Sequence, residues 1–136
     1  MKKLFLIALI SISSFAQEKA QDFGENLEKL NYPFPVKEIT IKAQGQDLKM
    51  AYMDVQPKSP NGKTVLLLHG KNFVAMYWEQ TANDLAKAGY RVIMPDQIGF
   101  GKSSKPTNIQ YSFQFLANNT KAILDNENIS KVNILG

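Results

Sequence analysis

Three apolar runs, "TVLLLHG" (64–70), "YRVIMPD" (90–96) and "KVNILG" (131–136), constrain this chain more than any other feature. Val65–Leu68 is a continuous apolar run, which suits a strand buried on both faces of a parallel sheet, and the other two are read as further buried strands. Two segments of helical spacing separate them. Trp78, Ala82, Leu85 and Ala86 recur on one helical face, and Gly89 stands where a C-cap belongs. Ser112 is placed to cap a second helix whose inner face is Phe113, Leu116, Thr120, Ile123 and Leu124. Buried strands alternating with helices imply right-handed crossovers and an α/β fold with helices on both faces of the sheet.

The stretch ahead of these runs has a different period. Ile39 and Ile41 alternate with Glu38, Thr40 and Lys42, and Leu48, Met50 and Tyr52 alternate with Asp47, Lys49 and Ala51. With Gly45 between the two halves, this predicts an antiparallel hairpin at one edge of the sheet. "PKSPNGK" follows as a loop. Residues 17–35 are a polar lead-in, expected on the surface, with a weak helical stretch at "FGENLEKL" ended by Pro33 and Pro35.

The first residues read as an export signal. "MKK" is a basic start and "LFLIALISI" an apolar core of nine residues, too short to span a bilayer. Ser14 and Ala16 are small residues three and one before a cut after Ala16. The expected organisation is a signal peptide over 1–16, the lead-in over 17–35 and the folded part over 36–136. The mature protein is expected to be exported, periplasmic or secreted, with no stable membrane anchor. The absence of cysteine excludes disulfides and a lipid-anchored start. Beyond Lys2 and Lys3 the lysines are scattered and Arg91 is the single arginine, so nucleic acid has no electrostatic footprint here despite a formal charge of +4.

"GFGKSS" (99–104) poses a choice between a phosphate cradle and a tight turn. A phosphate-binding loop needs a glycine five positions before Gly101, and that position holds Asp96, whose charge would repel phosphate. Pro106 and a polar stretch also intervene before the next helix, and the third glycine of a dinucleotide fingerprint is missing. No cofactor motif and no metal-ligand cluster are visible.

The stretch "VLLLHGKNFVAMYWEQTANDLAKAGYRVIMPDQIGFGKSSKP" resembles the α/β-hydrolase superfamily. The matching features are a strand ending in His69-Gly70, an aromatic at Trp78, "LAKAGYRV", "PD", then Gly99-Phe100-Gly101 with Ser103 and a following proline. "YSFQFLANNTKAILDNENISKVNILG" is similar to the family's next helix and the strand before its nucleophile. The resemblance covers about residues 36–136. It implies the N-terminal portion of that fold, a mostly parallel sheet with a leading antiparallel hairpin.

The resemblance also implies roles. The loop after the His-Gly strand lends a backbone N–H to an oxyanion hole; by position the donor is Lys71, with Asn72 next. Gly70 lets the backbone turn beside the site. His69 is expected to be held in the turn by hydrogen bonds, since the family's catalytic histidine lies far downstream. Asp96 is expected as a structural carboxylate accepting loop N–H bonds, with Gly99 and Gly101 giving a tight, positive-φ path at the pocket mouth. Ser103 lacks a G-x-S-x-G setting and is not expected as a nucleophile; Lys102 and Lys105 are expected to be solvated. Gly136 matches the first glycine of the nucleophile elbow, so the nucleophile, acid and histidine would lie beyond residue 136 and this segment alone would be inactive. The implied activity is hydrolysis of an ester, amide or related bond in a small-molecule substrate, without a cofactor. Serine is favoured as nucleophile on family frequency alone; aspartate would mean a dehalogenase or epoxide hydrolase. The alternative is a non-catalytic binding module of the same fold.

Overall fold

The computed structural model describes residues 21–136, so the expected signal peptide lies outside the described residues. Eight elements follow in order. A hairpin, β1 (Val36–Ala43) and β2 (Gln46–Val55), leads to β3 (Thr64–Leu67). A 3₁₀ turn (Ala75–Trp78) runs into α1 (Glu79–Lys87), followed by β4 (Arg91–Pro95), α2 (Phe113–Asn126) and β5 (Asn133–Leu135). The sheet order is β1-β2-β4-β3-β5. β3 pairs in parallel with β4 and β5, while β2 runs antiparallel to both β1 and β4, so β2 alone opposes the other strands.

The hairpin turns on Gln44 and Gly45, both at positive φ (49° and 76°), the two-residue geometry whose twist matches paired strands. Alternation then sorts side chains to two cores. Ile41, Leu48, Met50, Tyr52, Leu66 and Ile93 face one side, where they pack with Ile98 and with Ile123 of α2. Met53, Val65, Leu67, Val92 and Met94 face the other, with Ala75 and with Ala82 of α1. β2 departs from simple alternation: Ala51 and Met53 are as buried as Met50 and Tyr52, because β2 lies inside the sheet between β1 and β4.

Both helices end in the same way. Gly89 (φ 91°) follows α1, with its N–H on Ala86 O and the Tyr90 N–H on Leu85 O. Asn128 (φ 55°) follows α2, with bonds to Asp125 O and from Ile129 to Leu124 O. These are paired-bond C-caps on a left-handed residue. At the start of α2 the Ser112 Oγ accepts the Phe115 N–H at 3.1 Å, the expected cap. On the inner face of α2, Thr120 and Ile123 are buried as expected and Asn119 is buried beside them, whereas Phe113, at the first turn, is 89% exposed.

Three other expectations change. "FGENLEKL" forms turns with Leu27 at φ 54°, not a helix. The lead-in is not a free surface stretch either: Tyr32 and Phe34 pack against the α1-side core. β5 is exposed along its length, with Ile134 65% and Leu135 46% accessible, and among the described residues it pairs with β3 alone.

An ionic cluster closes the end of the sheet where β4 begins. Arg91 grips Asp54 with two bonds of 2.9 Å and also meets Glu127, at the end of α2. Lys37 on β1 reaches Asp54 at 2.7 Å and Glu127 at 2.9 Å, and the Tyr52 hydroxyl donates to Glu127 at 2.6 Å. Burial would raise the Asp54 carboxyl, but Arg91 and Lys37 outweigh it and hold it below the usual range. The Tyr52 bond, with Lys37 and Arg91, holds Glu127 low as well, and burial with Glu127 pushes the Tyr52 phenol up to about 12.

Candidate active site

β3 and β4 lie side by side and parallel, so the loops that leave them diverge from neighbouring carboxyl ends. In open α/β sheets this is where ligands bind. A cavity of about 560 Å³ opens there, lined by His69, Gly70, Lys71, Gln97, Gly99, Phe100, Tyr111, Phe113 and Leu116. Its walls are largely aromatic and apolar, as small-molecule sites are. His69, Gly70 and Lys71 were legible as site residues from the motif. Gln97, Phe100, Tyr111, Phe113 and Leu116 were not, since nothing local in the sequence brings 111–116 beside 69–71.

The loop after β3 is fastened at both ends to two successive residues of the β4 loop. At its start, the His69 Nε2 accepts the Gln97 N–H at 3.0 Å, and Nδ1 lies 3.0 Å from Gly70 O. Gly70 O can only accept and Gln97 N–H can only donate, a pair of partners that suits the tautomer with its proton on Nδ1. Phe100 packs edge-on against the ring at 5.3 Å. At the loop's far end, the Ala75 N–H donates to Asp96 Oδ1 at 2.7 Å. Between the pins, Phe73 N–H closes a turn onto Gly70 O, and Asn72 takes φ 70°. The N–H groups of Lys71 and Asn72 find no acceptor among the described residues.

Asp96 is a buried hub, 1% exposed, that accepts loop N–H bonds and does not line the cavity. Besides Ala75, its Oδ2 accepts the Lys102 N–H at 2.8 Å and the Tyr32 hydroxyl at 2.7 Å. Gly101 (φ 54°) lies behind it, where an added Cβ would stand 2.0 Å from the Asp96 Cγ. Gly99 (φ 100°) does reach the cavity, facing the Tyr111 ring.

"GFGKSS" is stitched to β2. The buried Ser103 Oγ donates to Asp96 O at 2.6 Å and accepts the Ala51 N–H at 2.9 Å. Ser104 Oγ accepts the Lys49 N–H, and the Ser104 N–H returns to Lys49 O. Neither lysine of this loop is simply solvated. Lys102 Nζ sits over the Tyr32 ring at 5.1 Å and donates to Glu28 O. Lys105 Nζ donates to Gly101 O at 2.6 Å, and its burial lowers the ammonium below its ordinary value. Gln97 donates from its side chain to Thr120 Oγ1 at 2.8 Å, tying the site floor to α2, while its buried Oε1 meets no donor among the described residues.

Among the described residues no cluster of histidine and carboxylates could hold a metal ion, and no helix is long and apolar enough to cross a membrane.

The family model described as "alpha/beta hydrolase fold" matches residues 63–136. A haloalkane dehalogenase of Mycolicibacterium paratuberculosis is 39% identical over 66% of this chain and 29% of its own length. A 2-hydroxy-6-oxononadienedioate/2-hydroxy-6-oxononatrienedioate hydrolase of Escherichia coli is 32% identical over 72% of this chain and 34% of its own. The crystal structure of a probable hydrolytic enzyme of Pseudomonas aeruginosa superposes with a TM-score of 0.80 and 54% identity, covering 82% of this chain and 36% of that one. The chain thus spans about a third of these proteins. With the His-Gly strand end, the pinned loop after it and the Asp96 hub in these positions, the chain belongs to the α/β hydrolase fold family.

Proposed function

We propose that the whole protein is an exported hydrolase that cleaves an ester, amide or related bond in a small, largely apolar molecule. In this reading the loop after β3 supplies part of an oxyanion hole, through the backbone N–H of Lys71 with Asn72 as second donor. The observation that carries it is the loop's geometry. It is fixed at His69 and at Ala75, opens onto the cavity, and leaves the Lys71 and Asn72 N–H groups without acceptors among the described residues. Donors held in place before charge develops stabilise it without reorganising, which is where most oxyanion stabilisation comes from. The aromatic rim of Phe100, Tyr111 and Phe113 favours an apolar body on the substrate. The words hydrolase and hydrolytic enzyme in the names of two of these relatives support the class of reaction.

The test uses the whole protein and a p-nitrophenyl ester. Lys71→Ala keeps the backbone donor and should retain most turnover. Lys71→Pro removes it and should lose about 2.7–4 kcal/mol of transition-state stabilisation. Equal, mild losses in both would remove Lys71 from the oxyanion role. Export is read separately: the mature protein should begin at Gln17, and a soluble form retaining Met1 would count against it.

A further inference from the structure

We infer that Tyr32, on the segment before β1, is a positioning residue for the loop after β3, acting through the Asp96 carboxylate. Asp96 touches three separate stretches at once: Ala75 at the end of the loop after β3, Lys102 in the Gly-rich loop, and Tyr32, sixty-four residues away. The two backbone N–H groups load one carboxylate oxygen each. Each oxygen therefore holds one loop, and the angle of the carboxylate about its Cβ–Cγ axis sets both pins. The phenol adds a third, charge-assisted bond to Oδ2 from a direction neither loop supplies. Burial, reinforced by Asp96, pushes the phenol above its ordinary range, so it stays a donor at any working pH.

The segment that carries Tyr32 is itself held against the Gly-rich loop. Lys102 Nζ covers the Tyr32 ring at 5.1 Å and bonds Glu28 O at 3.2 Å, and Lys105 Nζ reaches Asn26 Oδ1 at 3.3 Å. Phe34 packs on the core two residues on. Residues 26–34 thus form a strap across the back of the site. Its apolar contacts hold it on the sheet, and its one phenol sets the orientation of the carboxylate that pins Ala75. The catalytic weight of Tyr32 rests on the oxyanion reading of Lys71 and Asn72.

Tyr32→Phe in the whole protein removes only the hydroxyl. Two readouts are taken. Hydrogen exchange of the Ala75 and Lys102 amides reports the pin directly; turnover of the p-nitrophenyl ester reports its use. The expected result is amide exchange at least about tenfold faster, kcat lower by about tenfold, and KM unchanged, since misplaced donors cost rate rather than binding. Phe34→Leu, on the same strap but away from Asp96, should lower the melting temperature and leave both readouts in place. Unchanged exchange in Tyr32→Phe would overturn the positioning role whatever happens to kcat. So would equal losses in kcat from Phe34→Leu, which would reduce the strap to general stability. Faster exchange with an unchanged kcat would uphold the strap's grip on the loop and remove the loop from the oxyanion hole, a failure of the functional reading alone.

Discussion

At Gly101 two demands meet in one residue: a φ of 54° and an Asp96 carboxylate 2.0 Å from where a Cβ would sit. The backbone strain of alanine at positive φ costs about 1 kcal/mol or more. Displacing the carboxylate from its donors adds about 1.5–3 kcal/mol, the worth of a hydrogen bond to a buried charge. Gly101→Ala should therefore lower the unfolding free energy by about 3 kcal/mol in urea titration; a change within 0.5 kcal/mol, about what an ordinary surface substitution gives, would refute the close approach. The same stretch marks the boundary of what sequence could reveal. Its glycines, Lys102 and serines suggested a phosphate cradle, and Asp96 five positions before Gly101 argued against it. What those groups do instead is bond to β2 and to the lead-in, contacts that span fifty to eighty residues of chain. Residue type was readable there; the partner was not. Lys105 is the clearest case, since a lysine between serine and proline carries no local sign that a carbonyl cage awaits it.

Among the elements, period gave type reliably and burial less so. The apolar runs became β3 and β4, and the alternating stretch became the hairpin. Strand order escaped because nothing in "YRVIMPD" says that it inserts between β2 and β3. The inner face of α2 was right at Thr120 and Ile123 and wrong at Phe113, which lies in the first turn and is exposed. Caps were the more dependable signal. Gly89 was expected after α1 and is there, with a second reason to be glycine. A Cβ at this position would lie 2.8 Å from Ser59 O, in the loop whose Asn61 N–H bonds back to Gly89 O. Gly89→Ala should cost about 2 kcal/mol, from strained φ and a backbone neighbour that cannot step aside. Thermal unfolding of the variant reads this out, and an unshifted midpoint would mean that the helix end can relax.

Across the whole molecule, the ionic cluster of Lys37, Asp54, Arg91 and Glu127 draws β1, β2, β4 and α2 to one point. Asp54 and Glu127 both have folded values below their unfolded ones, so the unfolded chain binds the extra protons as acid is added. Their contribution is complete above roughly pH 5 and is lost as pH falls through the carboxylate range toward their depressed folded values. Denaturant titrations from pH 7 to 3 should show stability falling below pH 5, and Glu127→Gln should flatten that slope. An identical slope in the variant would exclude Glu127 as a source. Sequence showed Arg91 only as the lone arginine, and its bonds to Asp54 and Glu127 exist only once the sheet has formed.

α2 runs between two poles, with Phe113 and Leu116 at the cavity and Glu127 in the cluster. Its 14 residues put those ends about 21 Å apart. Over that separation, with no shared partners, free-energy changes add rather than compound. Changes at the aromatic rim can therefore accumulate one after another while the foundation that helps keep the chain folded goes untouched.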